Sequence, residues 1–528
     1  MPPGVRQALG LLEAGDAAAA LACCNEVLNR HPEQPAALLI AGAAQGRLGD
    51  YPAARATLEA ANAADPGNIH ILNNLALANK HLGDRQRAVE LLQEALALAP
   101  AFIEARMHLA DLQQEMGLAD AARLGYTQVL QFRPAHPGAL GALAALAETE
   151  GDRQTSRLFV ERALRAAPHH AAANLTAAAL DFADGRYPAV IERLTALLGT
   201  PGLTVVNQTI AYTRRGLAHE KLERYQAAFE DFRRSNELAY PHHAPRWADA
   251  QTAFSPVVLR RIAADLETAD AAFPTAGDDE PQPVFLLGFP RSGTTLLEQI
   301  LAAHPAIATI EESDTLADLY PLLASEAQPL RALAGLRRPE LDEYRAAYWR
   351  RLAGAAPAGG RLIVDKQPLY TALLPVIGTL FPGARIVFAL RDPRDVIVSC
   401  YQQNFAMNEA MFQFLRLDTA VDYYDRVMTI GRAALHRFGP AHTIVRYESL
   451  VRDFVPEIEK LIAFLGLPWD DCLHEYRALT AGRRIDTPSA PQVRQPLYRS
   501  AAGKWRHYRP WLPPSFGAVE HWAARWGY

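Results

Sequence analysis

A chain of 528 residues is too long for one hydrophobic core, so two or three domains are expected. Half the residues are apolar and 21% are charged, an ordinary globular composition. A formal net charge of −5 gives no basic footprint for nucleic acid, so cationic sites must be local.

The four cysteines, Cys23, Cys24, Cys400 and Cys472, form no C-x-x-C pair, so no zinc or redox site and no catalytic metal is expected. The N-terminus lacks a basic segment followed by an apolar one, and no run approaches the roughly 18 apolar residues of a membrane span. A reducing, cytoplasmic setting is therefore expected. Five of the 53 basic residues are lysines, Lys80, Lys221, Lys366, Lys460 and Lys504. In a chain that so often uses arginine, each marks a place where a compact ammonium suits better than a planar fork.

The first half is periodic. Gly15, Gly49, Gly83, Gly117, Gly151 and Gly185 recur every 34 residues, and Pro32, Pro66, Pro100, Pro134 and Pro168 keep the same register. Ala20, Ala54, Ala88, Ala122 and Ser156 follow each of the first five glycines at a fixed offset. Glycine suits the turn between paired helices, proline closes the second helix, and small residues let the pair approach. This pattern resembles the tetratricopeptide repeat. It predicts an α-helical solenoid over residues 1–241, of about seven repeats. The register slips after Gly185, and the next similar turn, Leu222-Glu-Arg-Tyr225, comes late. Such a solenoid offers a groove to a protein or peptide partner, or serves as a spacer. Asn73, Asn74, His108 and Asn174 are polar candidates for lining it.

Residues 242–282 form a join. Ser255 to Ala272 has one amphipathic helical pattern, and Phe273 to Pro283 is rich in Pro, Gly and Asp, the composition of a linker.

From residue 283 to 528, short apolar runs alternate with helical patterns, which predicts an α/β three-layer domain with a parallel sheet. The expected strands are Val284–Gly288, Ile307–Ile310, Arg361–Val364, Arg385–Leu390 and His442–Arg446. Ligands bind outside the carboxyl ends of such strands. A polar residue of interest follows each one: Arg291, Glu312, Lys366, Arg391 and Tyr447. Between the first strand and its helix, Gly288-Phe-Pro-Arg-Ser-Gly-Thr-Thr295 has the spacing of a phosphate-binding loop. The lysine of a nucleotide-triphosphate loop is replaced by Thr294, and a cation stands earlier, as Arg291.

The Pro290-Arg-Ser-Gly-Thr-Thr295 segment resembles the 5′-phosphosulfate loop of sulfotransferases that use 3′-phosphoadenylyl sulfate (PAPS), above all protein-tyrosine sulfotransferases and their bacterial relatives. The resemblance continues through Asp365-Lys-Gln-Pro368, Arg391 to Ser399, Val445-Arg-Tyr-Glu448, Ser489-x-x-Gln492-Val493 and Lys504-Trp505. It implies that Pro290, Arg291, Ser292, Gly293, Thr294 and Thr295 hold the phosphosulfate. Arg391 and Ser399 would hold the 3′-phosphate, and Tyr447, Ser489 and Lys504 would contact the nucleotide. Glu312 would be the catalytic base, with Glu311 the lesser candidate. Lys366 and Arg291 would stabilise charge on the leaving and transferring oxygens. The stretch Thr487–Trp505 is expected to fold over the nucleotide. Residues 314–358 and 401–440 are expected to wall the acceptor site, for a peptide or protein, a glycan or a lipid head group. A phosphotransferase using the loop, or a scaffold without activity, stays open at this point.

Overall fold

The computed structural model describes residues 2–268, 282–355, 362–480 and 502–528. The chain forms two compact units, Met1–Thr200 and Pro201–Tyr528.

The first unit is six antiparallel helical pairs, from Pro3–Glu13 with Ala17–Leu28 to Ala171–Ala183 with Tyr187–Leu198. The six periodic glycines all take φ between 75° and 90°, a left-handed conformation that other residues adopt only at a cost. In four repeats an aspartate follows the glycine and caps the second helix, as Asp50 accepts from the Ala53 N–H at 3.1 Å. The small residues five past each glycine are buried. Ser156 fits among the alanines because its hydroxyl donates to the Ala144 carbonyl at 2.8 Å. The polar groove candidates are engaged. His108 Nδ1 meets Asn73 Oδ1 at 2.8 Å, Asn74 Nδ2 donates to the His70 carbonyl, and Asn174 Nδ2 donates to the Pro168 and His170 carbonyls.

The second unit opens with one more helical pair, Val205–Lys221 and Tyr225–Trp247. The late turn has a simple cause: the helix Val205–Lys221 has 17 residues where Ala171–Ala183 has 13. The turn residue is Glu223, at φ 57°. The second helix runs on past residue 241, the expected end of the array, since Tyr225–Trp247 contains both Pro241 and Pro245. The following helix is described over Pro256–Thr268, and residues 269–281, with most of the expected linker, lie outside the described residues.

The sheet has five parallel strands: β1 (Val284–Leu287), β2 (Ile307–Glu311), β3 (Leu362–Lys366), β4 (Arg385–Leu390) and β5 (Ala441–Arg446), in the order β2-β3-β1-β4-β5. Each lies where the apolar runs placed it, with ends shifted by a residue or two. The alternation of a strand sends its side chains to two cores. Phe285 and Leu287 pack with helices Pro256–Thr268 and Leu417–Phe438, while Val284 and Leu286 pack with Thr294–Leu301 and Phe454–Phe464. β1 is central, so the loop that follows it is flanked by the carboxyl ends of β3 and β4. Among the described residues no helix is long and apolar enough to cross a membrane.

Candidate active site

The turn after β1 is held from below. Thr371 Oγ1 donates to the Gly288 carbonyl at 2.6 Å and lies 3.0 Å from the Gly288 N–H. A Cβ at Gly288 would come within 2.6 Å of the Ala389 carbonyl, so the chain passes β4 there only as glycine. Ser292 Oγ accepts from the Phe289 N–H at 3.2 Å and closes the turn on itself. Gly293, at φ 100°, turns the chain into the helix Thr294–Leu301 and brings no side chain to cap it. A helix N-terminus of this kind is an ordinary seat for an anion. Pro290, Arg291, Ser292, Thr294 and Thr295 are buried.

Cationic side chains gather at this turn. Arg291 Nε donates to Ser399 Oγ at 3.1 Å, which brings the hydroxyl expected to serve with Arg391 to Arg291. Arg391 Nη1 donates to the Arg291 carbonyl at 3.1 Å, and its guanidinium lies over the Tyr447 ring at 4.9 Å. Tyr447 also packs on the turn, since a Cβ on Gly293 would stand 3.1 Å from its ring. Asp392 caps the helix Pro393–Tyr401, with Pro393 in its first turn, and Glu448 accepts from the Asp392 N–H at 3.0 Å. Burial pushes the Lys504 pKa down, its partner Glu220 opposes this, and the charges of Arg391 and Arg291 lower it further. Ser489, Gln492 and Val493 lie outside the described residues.

A second cluster lies beside the first. The register pairs Glu311 of β2 with Lys366 of β3, which brings acids and lysine to one point of the sheet edge. Lys366 Nζ lies 2.8 Å from Glu312 Oε1, 3.2 Å from Glu298 Oε2 and 3.6 Å from Glu311 Oε1, with its side chain fully buried. Burial alone would lower its pKa, but the three carboxylates outweigh that and the pKa is raised. The acids differ in access: the side chains of Glu298, Glu311 and Glu312 are 3%, 20% and 41% exposed. Glu312 is thus the carboxylate that faces solvent. Its backbone is at φ 42° and Arg291 is at φ 70°, so two of the three left-handed non-glycine residues among those described are at this site. Backbone strain of this kind collects at functional positions.

Glu298 escaped the motif reading, although an acid in the apolar helix Thr294–Leu301 is itself a signal. Burial raises its pKa from 4.5 to about 7 against the pull of Lys366. The folded protein then holds a proton that the unfolded chain has released, so stability falls as pH rises between these values. Asp365 acts in the same direction, raised to about 7 by burial. Replacing Glu298 with glutamine is expected to flatten this fall and to raise the urea midpoint most above pH 7. Midpoints measured from pH 4.5 to 8 check it, and an unchanged profile would assign the dependence to other groups.

Residues 283–471 match the model of the sulfotransferase family, and residues 69–102 and 210–242 match that of the tetratricopeptide repeat. An uncharacterised protein of Aquifex aeolicus (strain VF5) is 29% identical over 345 residues, 61% of this chain and 43% of that protein. A protein-tyrosine sulfotransferase of Drosophila melanogaster is 24% identical over 42% of this chain and 46% of its own length. The nodulation protein NoeE of Sinorhizobium fredii (strain NBRC 101917 / NGR234) is 32% identical over 36% of this chain and 51% of its own. The chain spans about half the length of these curated relatives. It joins an array of tetratricopeptide repeats to a domain of the sulfotransferase family.

Proposed function

We propose that the protein transfers the sulfuryl group of PAPS to a hydroxyl or amine of an acceptor, and that its repeat array binds the acceptor or a partner protein. The observation that carries this reading is the meeting of Arg291, Ser399 and Arg391 around a buried glycine turn, with the Lys366–Glu312 pair beside it. The donor set fits PAPS. A backbone turn at a helix N-terminus suits the phosphosulfate, and an arginine on the neighbouring strand end suits a second phosphate. Thr294 stands where a triphosphate loop carries lysine, which disfavours a phosphotransferase.

In this reading Glu312 accepts the acceptor proton as the acceptor atom bonds to sulfur. The bond between sulfur and the bridging oxygen breaks, and that oxygen leaves with its electron pair as part of adenosine 3′,5′-bisphosphate. Lys366 donates to it as charge builds. Alignment of the groups supplies much of the acceleration, as in phosphoryl transfer. The relatives named as protein-tyrosine sulfotransferases, together with the repeat array, favour a polypeptide acceptor.

Incubation with PAPS labelled in the sulfate and a cell lysate tests the reading, with the labelled species identified afterwards. Label that stays on the nucleotide in every fraction would count against it. Arg391→Ala is expected to weaken adenosine 3′,5′-bisphosphate by about tenfold to a hundredfold, the scale of a charge-assisted contact, and adenosine 5′-monophosphate much less. Calorimetry with both nucleotides checks this, and equal losses would remove Arg391 from the 3′-phosphate.

A further inference from the structure

The last helical pair is built into the candidate donor site. Glu220 lies in the final turn of the helix Val205–Lys221, where the helix presents its negative end and a carboxylate is disfavoured. Three donors nevertheless converge on one of its oxygens: Lys504 Nζ at 2.6 Å, Tyr508 Oη at 2.6 Å and Gln402 Nε2 at 3.1 Å. Gln402 caps the end of the helix Pro393–Tyr401, which carries Ser399, and its Oε1 accepts from Lys504 Nζ at 2.8 Å. Asn236, on the second helix of the pair, donates to the Tyr401 carbonyl at 2.9 Å. Tyr225 stacks on His507 at 4.2 Å, and Phe229 on Trp511 at 5.7 Å. The pair therefore holds both the helix of Ser399 and the segment of Lys504.

Lys504 faces an unfavourable field from Arg391 and Arg291. An ammonium has three donors. Among the described residues two of them meet acceptors, on Gln402 and Glu220, and Gln402 ends the helix that brings Ser399 to Arg291 of the turn.

We propose that Glu220 is the positioning residue that holds Lys504 in place for the donor anion, so the final repeat is a working part of donor binding. This rests on the reading of the site as a nucleotide site. Whatever the repeat contributes to partner binding, its end helix also sets the affinity for the donor. Neither the sulfotransferase motifs nor the repeat period contains this link, because Glu220 belongs to the repeat and Lys504 to the other pattern.

The test uses the full chain and adenosine 3′,5′-bisphosphate, followed by calorimetry. Glu220→Gln keeps the shape of the side chain and removes its charge. It is expected to weaken binding about tenfold in the wild-type background and less than twofold in a Lys504→Ala background, the non-additivity of a coupled pair. Glu220→Asp, which keeps the charge on a shorter stem, is expected to lose less, and it carries the test if the glutamine variant does not fold. A general loss of packing would lower affinity equally in both backgrounds, and that result would overturn the assignment. Unchanged binding by Glu220→Gln would overturn it as well, while leaving the nucleotide site in place. A wild-type chain that does not bind the nucleotide would remove the donor reading itself, and this assignment with it.

Discussion

Replacing Lys366 with methionine is expected to destabilise the C-terminal unit by about 3–5 kcal/mol near neutral pH, the cost of removing one partner from a buried ion pair. Methionine fills a similar volume, so the loss is electrostatic rather than a cavity. Glu298, Glu311 and Glu312 would be left facing one another where the ammonium now lies within 3.6 Å of each. The remedy open to Glu298 is protonation, so its pKa, already raised by burial, rises further. A carboxylate with a raised folded pKa contributes stability that is present at low pH and lost as pH rises. The gap between variant and wild type should therefore narrow at pH 5.5 and widen at pH 8, as urea midpoints would record. Adding Glu298→Gln should recover part of the loss at pH 8, because it removes the most buried of the three charges. In the proposed reaction the same variant should lose about 10²- to 10³-fold in turnover, the scale of one donor to a developing oxyanion. A deficit that ignored pH would mean that the carboxylates do not depend on Lys366.

The central strands were legible because a strand buried on both faces has to be a short apolar run, and the run at the largely exposed edge, β5, became a strand as well. The carboxyl edge was legible for a related reason: Glu312, Arg391 and Tyr447 each follow the last residue of a strand, and Lys366 ends one. The repeat array was legible from glycines whose positive φ few other residues tolerate. Tertiary pairing was hidden. Nothing local to Ser399 says that it meets Arg291, and nothing near Glu298 says that Lys366 lies 3.2 Å away. Asn73 and His108 look like groove residues in sequence and instead satisfy one another. Glu220 was hidden most fully, since its ionic partner is near the other end of the chain.

Glu312→Gln is expected to cut turnover by about 10²- to 10⁴-fold, the usual contribution of a positioned base, and to leave adenosine 3′,5′-bisphosphate affinity within about twofold. Glu311→Gln should cost less, because exposure separates two acids that sequence ranked by motif register alone. Glu312 is the one open to an acceptor, and Glu311 lies farther from the lysine as well. The resting bond from Lys366 Nζ to Glu312 Oε1, 2.8 Å long, holds the carboxylate against the lysine. The same contact gives it a second use. In the proposed reaction, as Glu312 takes the acceptor proton, its charge is neutralised and its hold on Lys366 weakens. The ammonium then has an N–H to offer the bridging oxygen at the moment that oxygen gains charge. Proton uptake and leaving-group stabilisation are in this way coupled through one hydrogen bond. The coupling predicts that Glu312→Gln and Lys366→Met fall short of additivity in turnover. A double variant as impaired as the product of the two single losses would mean that acid and lysine act separately.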